Sequence, residues 1–357
     1  MCIRDRKTDG KFKFSILAES AFPGYGGMLV DITVFVGGFS SVTTYFVLIG
    51  QAAPVSLGVW YGDDGPFWIS REFWIVGMAL VVSVIVIVIR RMAVFELTSL
   101  YSSVFFITLS CSVFAAYVYY RFETLPPVDV DLLVVDFNLG RAIADTAFTY
   151  QSHTVLFPIY RELESPVQGV VRSITRASVL LASFMYVTTG TYGYLLFGRD
   201  VTSNVFNDFP ETATYINWLR FFYTFEIMFT LPVSVNANVI HIQSVLAELT
   251  KRFPTLNVRS TEAGITRTAI AVVEVILAAT IAIIVGADLK SFGYLVTVTS
   301  IVSSTMLVFV VPQVTFIVRS PLPILSSQKL KAGLIMAVGG VVIVTGFSAL
   351  VADLTGG

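Results

Sequence analysis

Six consecutive side chains with polar atoms lie inside a long apolar stretch of this sequence. They are Thr149, Tyr150, Gln151, Ser152, His153 and Thr154, and Pro158 follows them. Polar atoms at membrane depth are costly on a lipid-facing helix, and Pro158 removes the backbone donor that would bond to Thr154. The pattern therefore predicts a locally unwound helix that lines a cavity. For any single Thr or Ser, a hydrogen bond to a neighbouring helix is the simpler interpretation.

A second polar pattern is a stripe of residues spaced four apart, which places them on one face of a helix. It consists of Glu226, Thr230, Ser234 and Asn238, with Pro232 between them. A carboxylate at membrane depth must be paired, protonated or bound to an ion, so Glu226, Thr230 and Ser234 are candidates for ion binding or coupling. A structural ion pair between Arg220 and a carboxylate such as Asp145 is the alternative use of these charges.

Residues for enzymatic chemistry are missing. His153 and His241 are the only histidines, which excludes a zinc site with three His ligands. The G-x-S-x-G, H-E-x-x-H and P-loop patterns are absent, and no ligand set for haem is evident. We therefore expect no catalytic residues, no enzyme activity and no cofactor.

The elements that carry these residues are membrane-spanning helices. The chain has 357 residues, 55% hydrophobic and 13% charged, with a mean hydropathy of +0.79 and a net charge of −1. These values are typical of an integral membrane protein and disfavour a soluble domain, a disordered chain or a nucleic-acid partner. Long apolar runs without the alternation of barrel strands predict an all-α protein with about nine transmembrane helices. The runs are approximately 27–50, 72–89, 94–119, 137–160, 170–197, 213–246, 266–287, 289–318 and 328–352.

Positive charge in the loops predicts the orientation of these spans, because Lys and Arg are retained on the cytoplasmic side. If the N-terminus is cytoplasmic, the cytoplasmic segments contain 17 Lys and Arg residues and the opposite side contains five. An omitted or added span would invert every later loop, so this alternation supports nine spans. We expect a cytoplasmic segment 1–26, one transmembrane domain 27–352 and a short extracytoplasmic tail 353–357.

Pro and Gly within the spans are the expected sites of helix breaks, because neighbouring helices or a cavity can satisfy the freed backbone groups. These positions are Pro158, Pro232, Pro312, Gly37–Gly38 and Gly190 with Gly193. Glu274 is a lone acid in the seventh span, where it can relay protons or accept a single structural hydrogen bond. The sequence leaves both interpretations of Glu274 open.

The string FTYQSHTVLFPIYREL at 148–163 resembles a motif of the amino acid/auxin permease family of amino acid transporters. The matching positions are Phe148, Ser152, His153, Pro158, Ile159, Tyr160 and Glu162, whereas Thr154 stands where many members have proline. Weaker matches are GYLLFG at 193–198, FTLP with Thr230 and Pro232, and the opening SILAESAFPGYGGMLVDI. The resemblance extends over most of the chain.

This resemblance implies the LeuT-like inverted-repeat fold of the APC superfamily, in which our first span corresponds to the third helix. The first two helices of that fold would then be absent, as expected of a truncated reading frame. In that fold the first and sixth helices are unwound and together hold the substrate. The sixth-helix half corresponds to residues 149–154.

The resemblance also implies secondary active transport of amino acids, neutral ones in particular, by ion-coupled alternating access (symport). The implied substrate contacts are Phe148, Thr149, Tyr150, Gln151, Ser152 and His153. Thr230 occupies a position associated with sodium in some members, while Glu226, Glu274 or His153 can couple protons instead, so Na⁺ and H⁺ are alternatives. The implied partners are the amino acid and the lipid of a plasma membrane or of a vacuolar or lysosomal membrane.

Two other functions remain open. An amino acid sensor or receptor would bind its ligand without moving it, and a long cytoplasmic N-terminal signalling segment, which would favour this function, is not found in the sequence. A non-functional fragment of a transporter would lack independent stability. Protein partners are not indicated by any motif.

Overall fold

The computed structural model describes residues 14–62, 66–89, 95–123, 129–131, 138–151, 168–202, 204–210, 213–253, 264–286 and 289–355. Within these ranges the chain forms helices and irregular connections and contains no strand, so the all-α prediction is confirmed. The α-helices are α1 (Phe14–Ala21), α2 (Gly26–Tyr61), α3 (Arg71–Val88), α4 (Glu96–Glu123), α5 (Asn138–Thr149), α6 (Gln168–Phe197), α7 (Thr214–Arg252), α8 (Gly264–Val285), α9 (Leu289–Ser304), α10 (Val311–Arg319) and α11 (Ser327–Thr355). A π-helical segment, Thr305–Val310, joins α9 to α10.

Eight helices in the described part of the chain are long and apolar enough to cross a membrane. They are α2, α3, α4, α6, α7, α8, the continuous helix from α9 through α10, and α11. Exposed apolar side chains such as Leu80, Leu180 and Leu334 cover their outer faces, as expected where the surrounding solvent is hydrocarbon. The chain is therefore a multi-pass membrane protein. Helix α5, with 12 residues, covers the start of the predicted span 137–160, and the residues of that span after 151 lie outside the described ranges.

Helix α2 lies at the centre of the bundle and packs against α1, α3, α7, α8 and α9. Its buried Phe46 and Ile49 belong to one cluster with Ile75 of α3, Ile227 of α7 and Val275 of α8. In a bilayer such close packing, together with hydrogen bonds between helices, holds the helices together. Helix α2 also continues past residue 50, where the predicted span ended, and contains Pro54 within its 36 residues.

Smaller clusters place the remaining helices around this centre. Helix α4 packs against α6 and α7, and α5 packs against α9 and α11 through Ala144, Ile301 and Val342. The short helix α1 lies within the predicted cytoplasmic segment 1–26. Its Phe14 and Ala18 pack against α2, the π-helical segment and α10.

Most of the expected helix breaks are wrong, because the helices continue through them. Helix α2 is unbroken at Gly37–Gly38, α6 at Gly190 and Gly193, and α7 at Pro232. Near Pro312 the helix widens into the π-helical segment Thr305–Val310, a local irregularity that Pro favours. Pro158 lies outside the described residues.

The Gly37–Gly38 pair serves close packing instead. A Cβ atom on Gly38 would overlap the Asn238 side chain of α7, and one on Gly37 would lie 2.5 Å from the Ser303 hydroxyl of α9. Real Cβ atoms do not approach other atoms this closely, so only glycine lets α2 lie against both helices at this level. The pair thus lets the polar side chains of Asn238 on α7 and Ser303 on α9 lie directly against the backbone of α2.

Candidate functional site

The first candidate region is the C-terminal end of α5, where four of the six predicted substrate contacts are described. Helix α5 ends at Thr149, and Tyr150 forms a turn in which Gln151 N–H donates to the Phe148 carbonyl at 3.0 Å. The helix therefore ends at the first residue of the segment 149–154 that was predicted to unwind. Ser152 and His153 lie outside the described residues.

Two tyrosine contacts fix this end of α5 against α6. The Tyr150 hydroxyl donates to Ser183 Oγ at 2.9 Å, and the Tyr186 hydroxyl donates to the Thr149 carbonyl at 3.3 Å. The two tyrosine rings meet edge to face, with their centroids 5.3 Å apart. Gln151 Oε1 is buried and has no hydrogen-bond partner among the described residues. An amide oxygen of this kind can accept a hydrogen bond from the ammonium group of an amino acid.

Charged residues attach α5 to α9 and α11. Arg141 Nε donates to Thr297 Oγ1 at 2.9 Å, and its Nη1 forms an ion pair with Asp353 at 2.8 Å. One turn later, Asp145 interacts with Ser300 of α9 and with Arg141. The alternative ion pair between Arg220 and Asp145 is not formed, because Asp145 interacts with Ser300 of α9 and with Arg141.

Arg220 on α7 binds main-chain carbonyls of the preceding loop. It is buried, and its guanidinium donates to the Phe206 carbonyl at 3.1 Å, to the Phe209 carbonyl at 2.9 Å and to Asn217 Oδ1 at 2.5 Å. Main-chain carbonyls can satisfy a buried guanidinium because its planar fork presents five donors. Arg220 thus holds the loop 204–210 against the start of α7.

The second candidate region is the polar stripe of α7, which we call the α7 column and define as Glu226, Thr230, Ser234 and Asn238. Thr230 Oγ1 donates to Glu226 Oε1 at 2.7 Å, and Ser234 Oγ donates to the Thr230 carbonyl at 3.4 Å. Glu226 also interacts with Ser102 of α4. Twelve residues of helix separate Glu226 from Asn238, so the column extends about 18 Å along the helix axis. The hydroxyl oxygens of Thr230 and Ser234 and the carboxylate of Glu226 are ligands of the type that Na⁺ binds.

At its end the column contacts a further acid on α8. Asn238 Nδ2 donates to Glu274 Oε1 at 2.6 Å, and both side chains are buried. On its other side Asn238 packs against Gly38 of α2. Asn238 and Glu274 each stand out in the sequence as polar residues within apolar spans. Their contact could not be predicted, because they lie 36 positions apart on different helices.

The two candidate regions meet on α2. The Phe148 ring at the end of α5 comes within 3.9 Å of the position that a Cβ of Gly37 would occupy, next to the Gly38 contact with Asn238. Further along α2, Tyr45 lies in the vicinity of Glu226 of the α7 column and of Tyr186, which donates to the Thr149 carbonyl. Tyr45 is a further candidate that could not be predicted from the sequence, because a single tyrosine in an apolar span forms no pattern.

A buried pair of ionisable residues was also missed. His241 Nδ1 of α7 lies 2.7 Å from Asp31 Oδ1 of α2, and each residue is less than a tenth exposed. The available signal was the presence of an acid and a histidine inside two predicted spans. No group of three or more His, Cys, Asp or Glu side chains with metal-binding geometry occurs among the described residues.

Comparison with known proteins identifies a family and several relatives of this chain. Residues 2–352 match the family described as transmembrane amino acid transporter protein. A Mus musculus protein named "Putative sodium-coupled neutral amino acid transporter 11" is 24% identical over 331 residues, 91% of this chain and 68% of that protein. "Amino acid transporter AVT6C" of Arabidopsis thaliana is 26% identical over 66% of this chain and 60% of that protein. "Vacuolar amino acid transporter 5" of Schizosaccharomyces pombe is 22% identical over 63% of this chain and 52% of that protein.

The chain thus spans between 52% and 68% of the length of these three relatives. All three are named as transporters and none as an enzyme, in agreement with the expectation from the sequence. The family match begins before α1, ends within α11 and includes the motif at 148–163. The chain therefore belongs to the transmembrane amino acid transporter family, and the resemblance predicted from its sequence is confirmed.

Proposed function

We propose that this protein carries out ion-coupled secondary active transport of amino acids, neutral ones in particular. The observation that supports the proposal most directly is the meeting of two polar regions on α2. One region is the end of α5, with a main-chain carbonyl that accepts from Tyr186 and a buried Gln151 amide oxygen that has no hydrogen-bond partner among the described residues. The other is the α7 column, with oxygen donors suited to an ion. An amino acid and a coupling ion bound there would be neighbours.

In this proposal the substrate binds where α5 ends. Unwound backbone presents carbonyl and N–H groups that helix hydrogen bonds would otherwise occupy, and these groups suit the ammonium and carboxylate of an amino acid. Phe148, Thr149, Tyr150 and Gln151 would form one wall of this site. Ser152 and His153 continue the same segment of the sequence and complete the proposed set of contacts.

The coupling ion, Na⁺ or H⁺, is assigned to Glu226, Thr230 and Ser234. Thr230 and Ser234 offer hydroxyl oxygens, and Glu226 offers a carboxylate that Thr230 already contacts at 2.7 Å. The name of the mouse relative favours sodium for that protein. Coupling requires that the ion and the amino acid stabilise the same conformation of the transporter.

We further propose a LeuT-like inverted repeat in which α2 to α11 correspond to the third helix onward. Alternating access would then consist of rocking the α5 region against the helices packed around α2, with the site near the bilayer midplane. The N-terminus is assigned to the cytoplasm from the distribution of Lys and Arg. The membrane is assigned to the cell surface or to a vacuolar or lysosomal compartment, in keeping with the named location of the Schizosaccharomyces pombe relative.

Counterflow in proteoliposomes tests this function. Vesicles preloaded with a mixture of unlabelled neutral amino acids should take up radiolabelled amino acid, because exchange needs the substrate site and alternating access but no ion gradient. Thr149→Ala and His153→Ala should each weaken the apparent affinity about tenfold, as expected when a hydrogen bond to a charged ligand is lost. Thr280→Ala is the matched control, since Thr280 is exposed on α8 and donates only to the Ile276 carbonyl of its own helix.

The outcomes separate the competing functions. Binding of amino acid without counterflow would favour the sensor and contradict transport. Counterflow with unchanged affinity in both variants would retain transport but remove the α5 end as the substrate site. Equal losses in the Thr280 variant would show that the effects are not specific to this site.

A further inference from the structure

Glu274 on α8 carries a carboxyl group that is almost completely buried and only half satisfied. The residue is 3% exposed, and its Oε1 accepts a hydrogen bond from Asn238 Nδ2 at 2.6 Å. Its Oε2 is also buried and has no hydrogen-bond partner among the described residues. An ionised carboxylate has about four lone-pair sites to fill. One amide donor therefore leaves the anion poorly solvated at membrane depth.

The charged and titratable groups on the helices around Glu274 contact other residues. Helix α8 packs against α2, α3 and α7. On these helices Asp31 contacts His241, Arg71 donates to carbonyls at the end of α8, and Tyr45 interacts with Glu226, while Arg267 of α8 itself donates to Asn236. No salt bridge joins Glu274 to a cation in the described ranges. The neutral acid is thus the form that these surroundings accommodate.

The same surroundings disfavour a metal ion at this carboxyl. Asn238 turns its amide nitrogen, a hydrogen-bond donor, toward Glu274, and its Oδ1 packs against Gly38. A cation such as Na⁺ or Ca²⁺ needs several oxygen ligands directed at one point. A proton needs only one carboxyl oxygen, and Glu274 Oε2 provides it.

Glu274 is connected through Asn238 to the surface of α2 against which the proposed cycle must move α5. Asn238 is the last member of the α7 column and lies against Gly38 of α2, and the neighbouring Gly37 lies against Ser303 of α9. The Phe148 ring of α5 lies at the same level, 3.9 Å from the position of a Gly37 Cβ. Rocking of α5 against α2 would therefore change the packing around Gly37–Gly38 and Asn238 and the access of water to Glu274. Protonation and conformation are coupled when only one conformation exposes the acid.

We propose that Glu274 is the site of a coupling proton in this transporter. Its carboxylate takes one proton from water on one side of the membrane, so that an O–H bond forms at Oε2. That bond breaks and the proton leaves to water when the protein opens to the other side. The inference rests on the proposed transport function and identifies a proton as a coupling ion.

The test uses the full chain in proteoliposomes with neutral amino acids and two assays. The first is counterflow, which needs no gradient, and the second is uptake driven by an imposed pH gradient in the absence of Na⁺. One coupled proton and a gradient of one pH unit can support about tenfold accumulation of substrate. Glu274→Gln should abolish this accumulation while counterflow stays within about twofold of wild type, since Gln fills the same space but cannot exchange a proton. Glu72→Gln is the matched control, because Glu72 is exposed at the start of α3.

Each outcome decides a separate point. Loss of accumulation in Glu274→Gln alone supports the proposal. Accumulation that persists in that variant overturns it, and so does wild-type counterflow without any response to the pH gradient. Absence of counterflow in wild type contradicts the proposed transport function itself.

Glu274→Asp provides the test if the Gln variant does not fold, which thermal unfolding in detergent would reveal. The shorter side chain retains an exchangeable proton but withdraws the carboxyl from Asn238. Gradient-driven uptake should therefore persist with a shifted pH midpoint, about one unit from that of wild type if one hydrogen bond is lost. An unchanged midpoint would overturn the proposal, because the pH dependence would then arise from another group.

Discussion

The hydroxyl of Thr230 is the link between the carboxylate and the rest of the α7 column. It donates to Glu226 at 2.7 Å, while the Thr230 carbonyl accepts from Ser234. One residue thus contacts two of the three groups assigned to the coupling ion. A hydroxyl can also turn to present its lone pairs to a cation, which a purely structural apolar residue cannot do.

Thr230→Val removes this hydroxyl at nearly constant volume. If the α7 column binds Na⁺, the substitution should raise the Na⁺ concentration for half-maximal amino acid uptake about tenfold, the effect of one lost ligand or hydrogen bond. Uptake measured against Na⁺ at fixed pH checks this expectation. Thr280→Val, on the exposed face of α8, should leave the curve in place. If the two variants give the same curve, Thr230 has a packing role only.

At the scale of helices, the close contact of α2 with α7 depends on the absence of a side chain at Gly38. Gly38 lies against the Asn238 amide, and the neighbouring Ser40 hydroxyl accepts from Thr299 of α9 at 2.6 Å. Helices α2 and α7 are also joined by hydrogen bonds, from Ser56 Oγ to the Asn217 carbonyl at 3.0 Å and between His241 and Asp31 at 2.7 Å. Wider spacing of α2 and α7 would therefore cost these hydrogen bonds as well as packing.

Gly38→Ala should destabilise the protein by about 1–3 kcal/mol, the usual effect of overpacking a well-filled interior. Gly77→Ala on α3 is the matched control, because nothing lies within 4 Å of the Cβ it would add. That substitution should be neutral or stabilising by up to about 1 kcal/mol, since Ala favours the helix. Thermal unfolding in detergent compares the two, and an equal response of both variants would contradict the close contact at Gly38.

At the scale of the whole molecule, the predicted orientation determines which connections face the cytoplasm. The loop 204–210 follows the fifth predicted span and should lie outside, whereas 320–326 precedes the last span and should lie inside. Asn207 and Leu325 are both exposed, so a cysteine at either position would be reachable by a reagent in water.

Asn207→Cys and Leu325→Cys, each in a chain with Cys2 and Cys111 replaced by Ser, test this topology with a maleimide that does not cross membranes. In vesicles sealed with their cytoplasmic face outward, Leu325→Cys should label at once and Asn207→Cys only after permeabilisation. Labelling of both from the same side would require a different number of spans between the two positions. The reverse order would retain the span number and invert the orientation.

The sequence predicted the helices and the α7 column because both follow from regular spacing. Runs of apolar residues define spans, and a repeat of four places Glu226 and Thr230 on one face. The contacts between helices could not be predicted in this way. Asn238 meets Glu274, and Asp31 meets His241, only because α2, α7 and α8 pack around one another. A glycine such as Gly38 predicts a helix break when one helix is considered alone. Its role is to make room for the Asn238 side chain of the neighbouring helix.

The pairing of Asp31 with His241 has a consequence for the synthesis of this protein. The two residues lie 210 positions apart, so at about 5–20 residues per second roughly 10–40 s pass between their emergence from the ribosome. During that time α2 contains Asp31, Gln51 and Ser56 without the partners that α7 and the loop before it supply. Such a helix is poorly suited to bare lipid. Helix α2 should therefore stay beside the insertion machinery until α7 has been synthesised. The two helices should then enter the bilayer together.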